Sequence, residues 1–243
     1  MIYVSLISHT PDPERTIAAA ARVSTSPIDT KEISKQLTPQ AIDRLFTHLL
    51  NSGHLSTFEH ASFTFAIEGI SRVTSHQLVR HRMASYTQQS QRYLSLKEAD
   101  YITPRSISAR KELESKYHDM VLDCHRLYID MLDAGIPAED ARYVLPSAMV
   151  TRLIMTMNAR ELLHACSLRL CLRAQWEIVE LFELIKAEVE RVAPRLGAEL
   201  KPKCYRLGYC DEAESCGIFP TAKEIADEKE RKEKRVKKGV KTK

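Results

Sequence analysis

The sequence predicts an α+β fold in which a small antiparallel sheet packs against long helices. Three observations carry that prediction. Phe63, Phe65 and Ile67 alternate with Ser62, Thr64 and Ala66, the period of a strand with one buried face. Ile42, Leu45, Phe46 and Leu49 share one face of a helix. Over residues 173–192, Ile178, Phe182, Ile185, Val189 and Val192 repeat at helical spacing, while Glu177, Glu180, Glu183, Lys186 and Glu190 make up the wet face.

Taken in order, residues 2–7 (IYVSLI) read as an opening strand, and residues 14–24, after Pro11 and Pro13, as a short alanine-rich helix. Thr38-Pro39 supplies an N-cap and a first-turn proline for the amphipathic helix over 40–52, which Gly53 stops. The alternating strand at 60–69 leads into a helix from about Ser71 to Arg82. Residues 107–134 form a long charged helix that turns Leu113, Tyr117, Met120, Leu127, Ile129 and Leu132 toward a core. Residues 147–158 are extended, and 159–170 are helical again. Trp176, the only tryptophan, opens the last long helix as a core residue.

With 44% hydrophobic residues in 243, the chain can bury one core, assigned to residues 1–222. Only seven residues are glycine, and no two lie closer than nine apart. That spacing excludes GxGxxG, GxxxxGK[ST] and GxSxG, so a bound nucleotide must be gripped by side chains and helix ends. Residues 223–243 hold 10 Lys/Arg against 5 Asp/Glu, leaving 26 against 27 in the body. The tail therefore reads as charged and frayed, with nonspecific contact to a polyanion as the other reading. No apolar run approaches a membrane span and no basic-then-apolar leader opens the chain, so a soluble cytoplasmic protein is the expectation.

Six cysteines in a chain of this size read as reduced thiols. Cys204, Cys210 and Cys216 repeat at an interval of six, with Cys171 available as a fourth sulfur, so metal or redox chemistry stays open there. His54 and His60 lack the i, i+4 spacing of a helical metal pair, and no metal ligand is assigned to them.

The chemistry concentrates in residues 77–93, QLVRHRMASYTQQSQRY. Arg80, Arg82 and Arg92 stand with His81 and with Gln77, Gln88, Gln89 and Gln91, without one carboxylate. Guanidinium forks grip phosphate and glutamine pairs with an imide edge, so the stretch suits phosphate and heterocycle recognition. A solvated basic helix and turn is the alternative. Ser90 invites a nucleophile reading, but its neighbours are Gln and Arg rather than an activating base.

Arg80-His81-Arg82 followed by Ser90, as RHRMASYTQQS, resembles the signature of the flavin-dependent thymidylate synthases. The resemblance extends to GHLSTFEHASFTF at 53–65, ARYVLP at 141–146, NARELLHACSLR at 158–169 and RAQWEI at 173–178, in order over about residues 1–195. It implies a single catalytic domain that methylates dUMP to dTMP in a homotetramer with sites shared between subunits. FAD is the implied cofactor, and NADPH and 5,10-methylenetetrahydrofolate are the implied co-substrates.

Residue by residue, the resemblance implies that Ser56, Arg80, His81, Arg82, Gln88, Asn158, Arg160 and His164 hold FAD. Gln77, Arg80, Gln88, Ser90, Arg92, Arg142 and Arg169 bind dUMP, with Arg92 and Arg142 on its phosphate and Arg169 catalytic. Thr87-Gln88 stands where many members have Asn-Glu, and Arg173 where His is common, so the nucleotide pose and any histidine contact there depart from the pattern. The competing readings are a basic nucleic-acid-binding protein without catalysis and a related flavin- or folate-dependent uridylate methyltransferase; the thymidylate synthase resemblance implies no specific nucleic-acid or membrane partner.

Overall fold

Strand β1 (Tyr3–His9) is followed by Asp12, whose carboxylate caps α1 (Pro13–Val23), and Asp29 caps α2 (Thr30–Gln36) in the same way. Thr38 caps α3 (Pro39–Ser52), and Gly53, at φ 73°, closes it in the left-handed conformation that its position anticipated. After a 3-10 turn at Leu55–His60 come β2 (Ser62–Ser71), α4 (Arg72–Leu78), β3 (Ala84–Gln88), α5 (Arg105–Ser108), α6 (Lys111–Asp133) and α7 (Ala138–Ala141). Strand β4 (Val150–Asn158) then leads into α8 (Ala159–Arg169), α9 (Trp176–Val192), α10 (Pro194–Glu199), α11 (Lys203–Leu207) and α12 (Ala222–Gly239). This computed structural model describes residues 1–94 and 96–239.

The four strands form one antiparallel sheet in the order β1-β2-β4-β3, so the α+β expectation holds. Phe63, Phe65 and Ile67 of β2 and Met155 and Met157 of β4 share one buried core with α9, whose Ile178, Leu181, Phe182, Ile185 and Val189 are fully buried. Fully burying one such side chain is worth about 1.5–3 kcal/mol, so this layer fixes the strand register. Among the described residues no helix is long and apolar enough to cross a membrane.

Several expectations change. Helix α4 stops at Leu78 instead of continuing to Arg82, because Tyr86 and its neighbours pair with β4 as edge strand β3. In α6 the buried residues are Val121, His125 and Tyr128; Leu113, Met120 and Leu127 face outward. Buried polar groups select that face: His125 Nε2 meets Leu96 O at 2.9 Å, and Leu96 N donates to Tyr128 Oη at 3.2 Å. Glu177, placed on the wet face of α9, is 2% exposed and accepts from Ser71 N and Oγ at 2.6 and 2.7 Å. Trp176 is only half-buried, lying under the Arg105 guanidinium at 5.2 Å.

The tail is helical where fraying was expected. Thr221 and Glu224 form a reciprocal capping box, and Glu228 pairs with Lys232 one turn later. Its last residues, 240–243, lie outside the described residues.

Candidate active site

Three side chains from two distant stretches meet at the edge of the sheet. Asn158 closes β4 and caps α8, its Oδ1 accepting from Glu161 N at 2.9 Å. That start sets Glu161 and, two turns on, Arg169 along one side of α8. His81 comes from the turn between α4 and β3. Its Nδ1 meets Glu161 Oε1 at 3.0 Å, and its Nε2 accepts from Arg169 Nε at 2.9 Å.

The partners dictate the tautomer. Arginine can only donate and an ionised carboxylate can only accept, so His81 is neutral with its proton on Nδ1. The ring is 4% exposed. Burial pulls His81 below its ordinary value, the Glu161 hydrogen bond opposes this, and the Arg169 charge reinforces it. Tyr86 Oη lies 2.9 Å from the carbonyls of both Leu78 and His81, fastening the turn. Arg169 Nη2 donates to Gln77 O at 3.4 Å, a second contact that holds the guanidinium against the turn.

Ligand atoms of His81, Glu161 and His164 lie within 4.8 Å of one another, a spacing a metal ion would accept. The electrostatics oppose that use, because the Arg169 cation already sits on His81 Nε2. A fixed positive charge aimed by a buried neutral imidazole suits an anion, or negative charge that develops during a reaction.

A second group of guanidiniums gathers around Glu139. Arg92 forms an ion pair with its carboxylate, and Arg142 Nε donates to its carbonyl at 2.9 Å. Arg72 lies within the field of Arg142, which together with the larger effect of burial pulls its pKa down. Arg72 Nη1 is the buried side-chain polar atom without a partner among the described residues. A buried donor left unmade costs about 1–3 kcal/mol, so this cluster is incomplete without an acceptor. Ser90 Oγ accepts from Arg92 N at 3.1 Å, which gives the hydroxyl a backbone partner and no base. Gln88 Nε2 donates to Ser75 Oγ and Thr151 Oγ1, both at 3.0 Å, turning its carbonyl oxygen to other donors.

Asn158, Arg160 and His164 line a cavity of about 500 Å³ with Glu59, Met83 and Ser167. Arg160 is ion-paired to Glu59, and Ser56 lies exposed on the same 3-10 turn as Glu59. Arg80 and Arg82 are exposed on either side of His81 and do not line this cavity. His81, expected to hold a cofactor beside them, has both ring nitrogens engaged inside the protein.

Sequence reasoning missed Arg72, Tyr86, Glu139 and Glu161. Glu161 sits inside NARELLH and was passed over because charged residues in a helix usually face water. Tyr86 lies within RHRMASYTQQS, where no charge or spacing singles it out, and Arg72 and Glu139 lie outside the motifs.

A family model described as thymidylate synthase complementing protein matches residues 5–195. The flavin-dependent thymidylate synthase of Geobacter sulfurreducens is 43% identical over 229 residues, 91% of this chain and 97% of that protein. The enzyme of the same name from Pyrococcus abyssi is 43% identical over 222 residues, 88% and 91% of the two chains. The crystal structure of a UMP/dUMP methylase, PolB from Streptomyces cacaoi, bound with 5-Br dUMP, superposes with a TM-score of 0.74 at 26% identity, covering 82% of this chain and 94% of that one. The chain therefore belongs to the thymidylate synthase complementing protein family, the family of the flavin-dependent thymidylate synthases.

Proposed function

We propose that this chain is a flavin-dependent thymidylate synthase, a methyltransferase that converts dUMP to dTMP with FAD as cofactor and NADPH and 5,10-methylenetetrahydrofolate as co-substrates. The observation that carries this reading is near-full-length identity, 43% over 91% of the chain, to an enzyme of that name. The catalytic domain spans residues 1–222 and works in the cytoplasm.

The donor set fits the groups to be held. Arg92 and Arg142 take the dUMP phosphate, which replaces Glu139 as the partner of Arg92, and Arg72 supplies the third guanidinium. Gln77, Arg80, Gln88 and Ser90 hold the sugar and base. Ser56, Arg80, His81, Arg82, Gln88, Asn158, Arg160 and His164 make up the FAD site; for His81 the contribution is to the shape of the turn, since its ring is committed elsewhere. FAD, when bound and reduced by NADPH, supplies the hydride that completes the transferred methyl group.

Arg169 does the electrostatic work on the substrate. Its Nε is fixed by His81, so the rest of the guanidinium faces the uracil imide and stabilises the anionic ring that forms during methyl transfer. Glu161 keeps the Nδ1 proton of His81 in place, and therefore keeps Nε2 an acceptor for Arg169.

Four copies share their sites. The feature that supports this reading is the outward stripe of Leu113, Met120 and Leu127 on α6, seven residues apart and 44–47% exposed, which suits a helix-to-helix contact between subunits.

Purified protein tests the proposal by its absorbance. Visible flavin bands and saturable FAD uptake are expected, with dUMP bound more tightly than UMP. A colourless protein that takes up neither FAD nor dUMP contradicts it.

A further inference from the structure

We propose that Cys171, Cys204, Cys210 and Cys216 form a tetrathiolate site for a structural zinc-type divalent cation, which fastens the chain between α10 and α12 onto the end of α8. The site lies outside the constellation around His81 and plays no part in the chemistry proposed above.

The four thiols are all free and arrive from three places. Cys171 follows the last residue of α8 by two, Cys204 lies within α11, and Cys210 and Cys216 belong to the irregular stretch before α12. Independent tethers draw these places together. Helix α11 packs on α8. Lys203, beside Cys204, reaches Asp211 at 3.0 Å and Glu212 at 2.8 Å, beside Cys210. Arg173, two residues from Cys171, pairs with Glu214, two residues from Cys216.

The segment has little else to hold it. Between residues 201 and 221, Cys210 is the one buried residue, and the main apolar contact is the Tyr205–Phe219 ring pair at 5.1 Å. Its ladder reduces to a single bridge, Cys210 to Thr221, with Cys210 N donating to Pro220 O at 2.8 Å. Gly208 and Gly217, at φ 74° and 86°, turn the chain sharply after Cys204 and Cys216, as looping ligands around one centre requires. A segment without a core of its own is what a structural metal stabilises.

Donor chemistry selects the ion. Four sulfurs and no imidazole favour a tetrahedral, thiophilic cation over calcium or magnesium. The nearby carboxylates are spent on Lys203 and Arg173, and those two cations temper the negative charge of a tetrathiolate centre. Among the described residues the ligand atoms gathered within 4.8 Å are those of His81, Glu161 and His164, so binding the ion requires the four sulfurs to draw closer together.

Elemental analysis of the full-length, untagged protein, purified without chelators, tests this directly. About one zinc per chain is expected. Cys210→Ser and Cys204→Ser should each lose most of it, whereas Cys124→Ser should keep it. Replacement by cobalt should give an intense thiolate-to-metal band in the near ultraviolet, a readout that needs no variant to fold. Zinc-free protein whose four thiols all react with a thiol reagent overturns the proposal. So does a native mass lower by the hydrogens lost to two disulfides.

Discussion

Arg169 Nε donates to His81 Nε2 at 2.9 Å, so the guanidinium can be aimed only while a buried histidine stays neutral. Arg169→Ala should lower turnover by about 10²–10³-fold, the usual loss when one preorganised charge partner of a transition state is removed, while FAD binding persists. Steady-state turnover alongside the flavin spectrum checks this. Near-normal turnover contradicts the role given to Arg169.

The same bond predicts an acid limb. The folded state holds His81 below its ordinary value, chiefly through burial, so its stabilising contribution is complete above the ordinary value of about 6.5 and is lost as pH falls toward the folded value. Protonation puts an N–H on Nε2 facing the N–H of Arg169, with His164 and Glu161 the other titratable groups against the ring. Glu161 raises the pKa of His81, so Glu161→Gln should move the acid limb of turnover to lower pH. It should also cost at least about tenfold in turnover, because the carboxylate that holds the tautomer loses its charge. A limb that stays in place, or moves upward, counts against this coupling.

The proposed function makes Ser90 a substrate ligand and not a nucleophile. Its hydroxyl is met by the backbone N–H of Arg92 at 3.1 Å. Ser90→Ala should weaken dUMP binding by roughly three- to tenfold, the worth of one hydrogen bond, and leave turnover measurable at saturating substrate. Abolished turnover with unchanged affinity would support a covalent mechanism instead.

Glu177 binds the first turn of α4 to the first turn of α9 through two hydrogen bonds to Ser71. Glu177→Ala removes a buried acceptor and strands both donors, which should cost about 2–4 kcal/mol. Thermal melting of the apoprotein measures it. A loss below about 0.5 kcal/mol, the range of an ordinary surface substitution, shows that this anchor is not what positions α4.

Period and punctuation made the frame legible from the sequence. The alternation of Phe63, Phe65 and Ile67 gave β2 its buried face, and Thr38-Pro39 and Gly53 marked both ends of α3. Strand β3 is hard to read from Ala84–Gln88 because only Ala84 and Tyr86 mark an inner face, and its conformation comes from pairing with β4. Helix α6 was turned the wrong way because its outward leucines and methionine imitate a core stripe, while its true inner face is held by His125 and Tyr128. In the site, Arg92 and Arg142 were named as a pair and do converge on Glu139. Glu161 could not be inferred in the same way, since its meaning depends on His81, 80 residues earlier in the chain.

Tritium release from dUMP labelled at C5 tests the central claim most directly, because replacing that hydrogen by a methyl group is the reaction itself. Release should require FAD, NADPH and 5,10-methylenetetrahydrofolate together, and it should fall sharply in Arg169→Ala. FAD-loaded, dUMP-bound protein that releases no tritium with all three supplied would contradict the account.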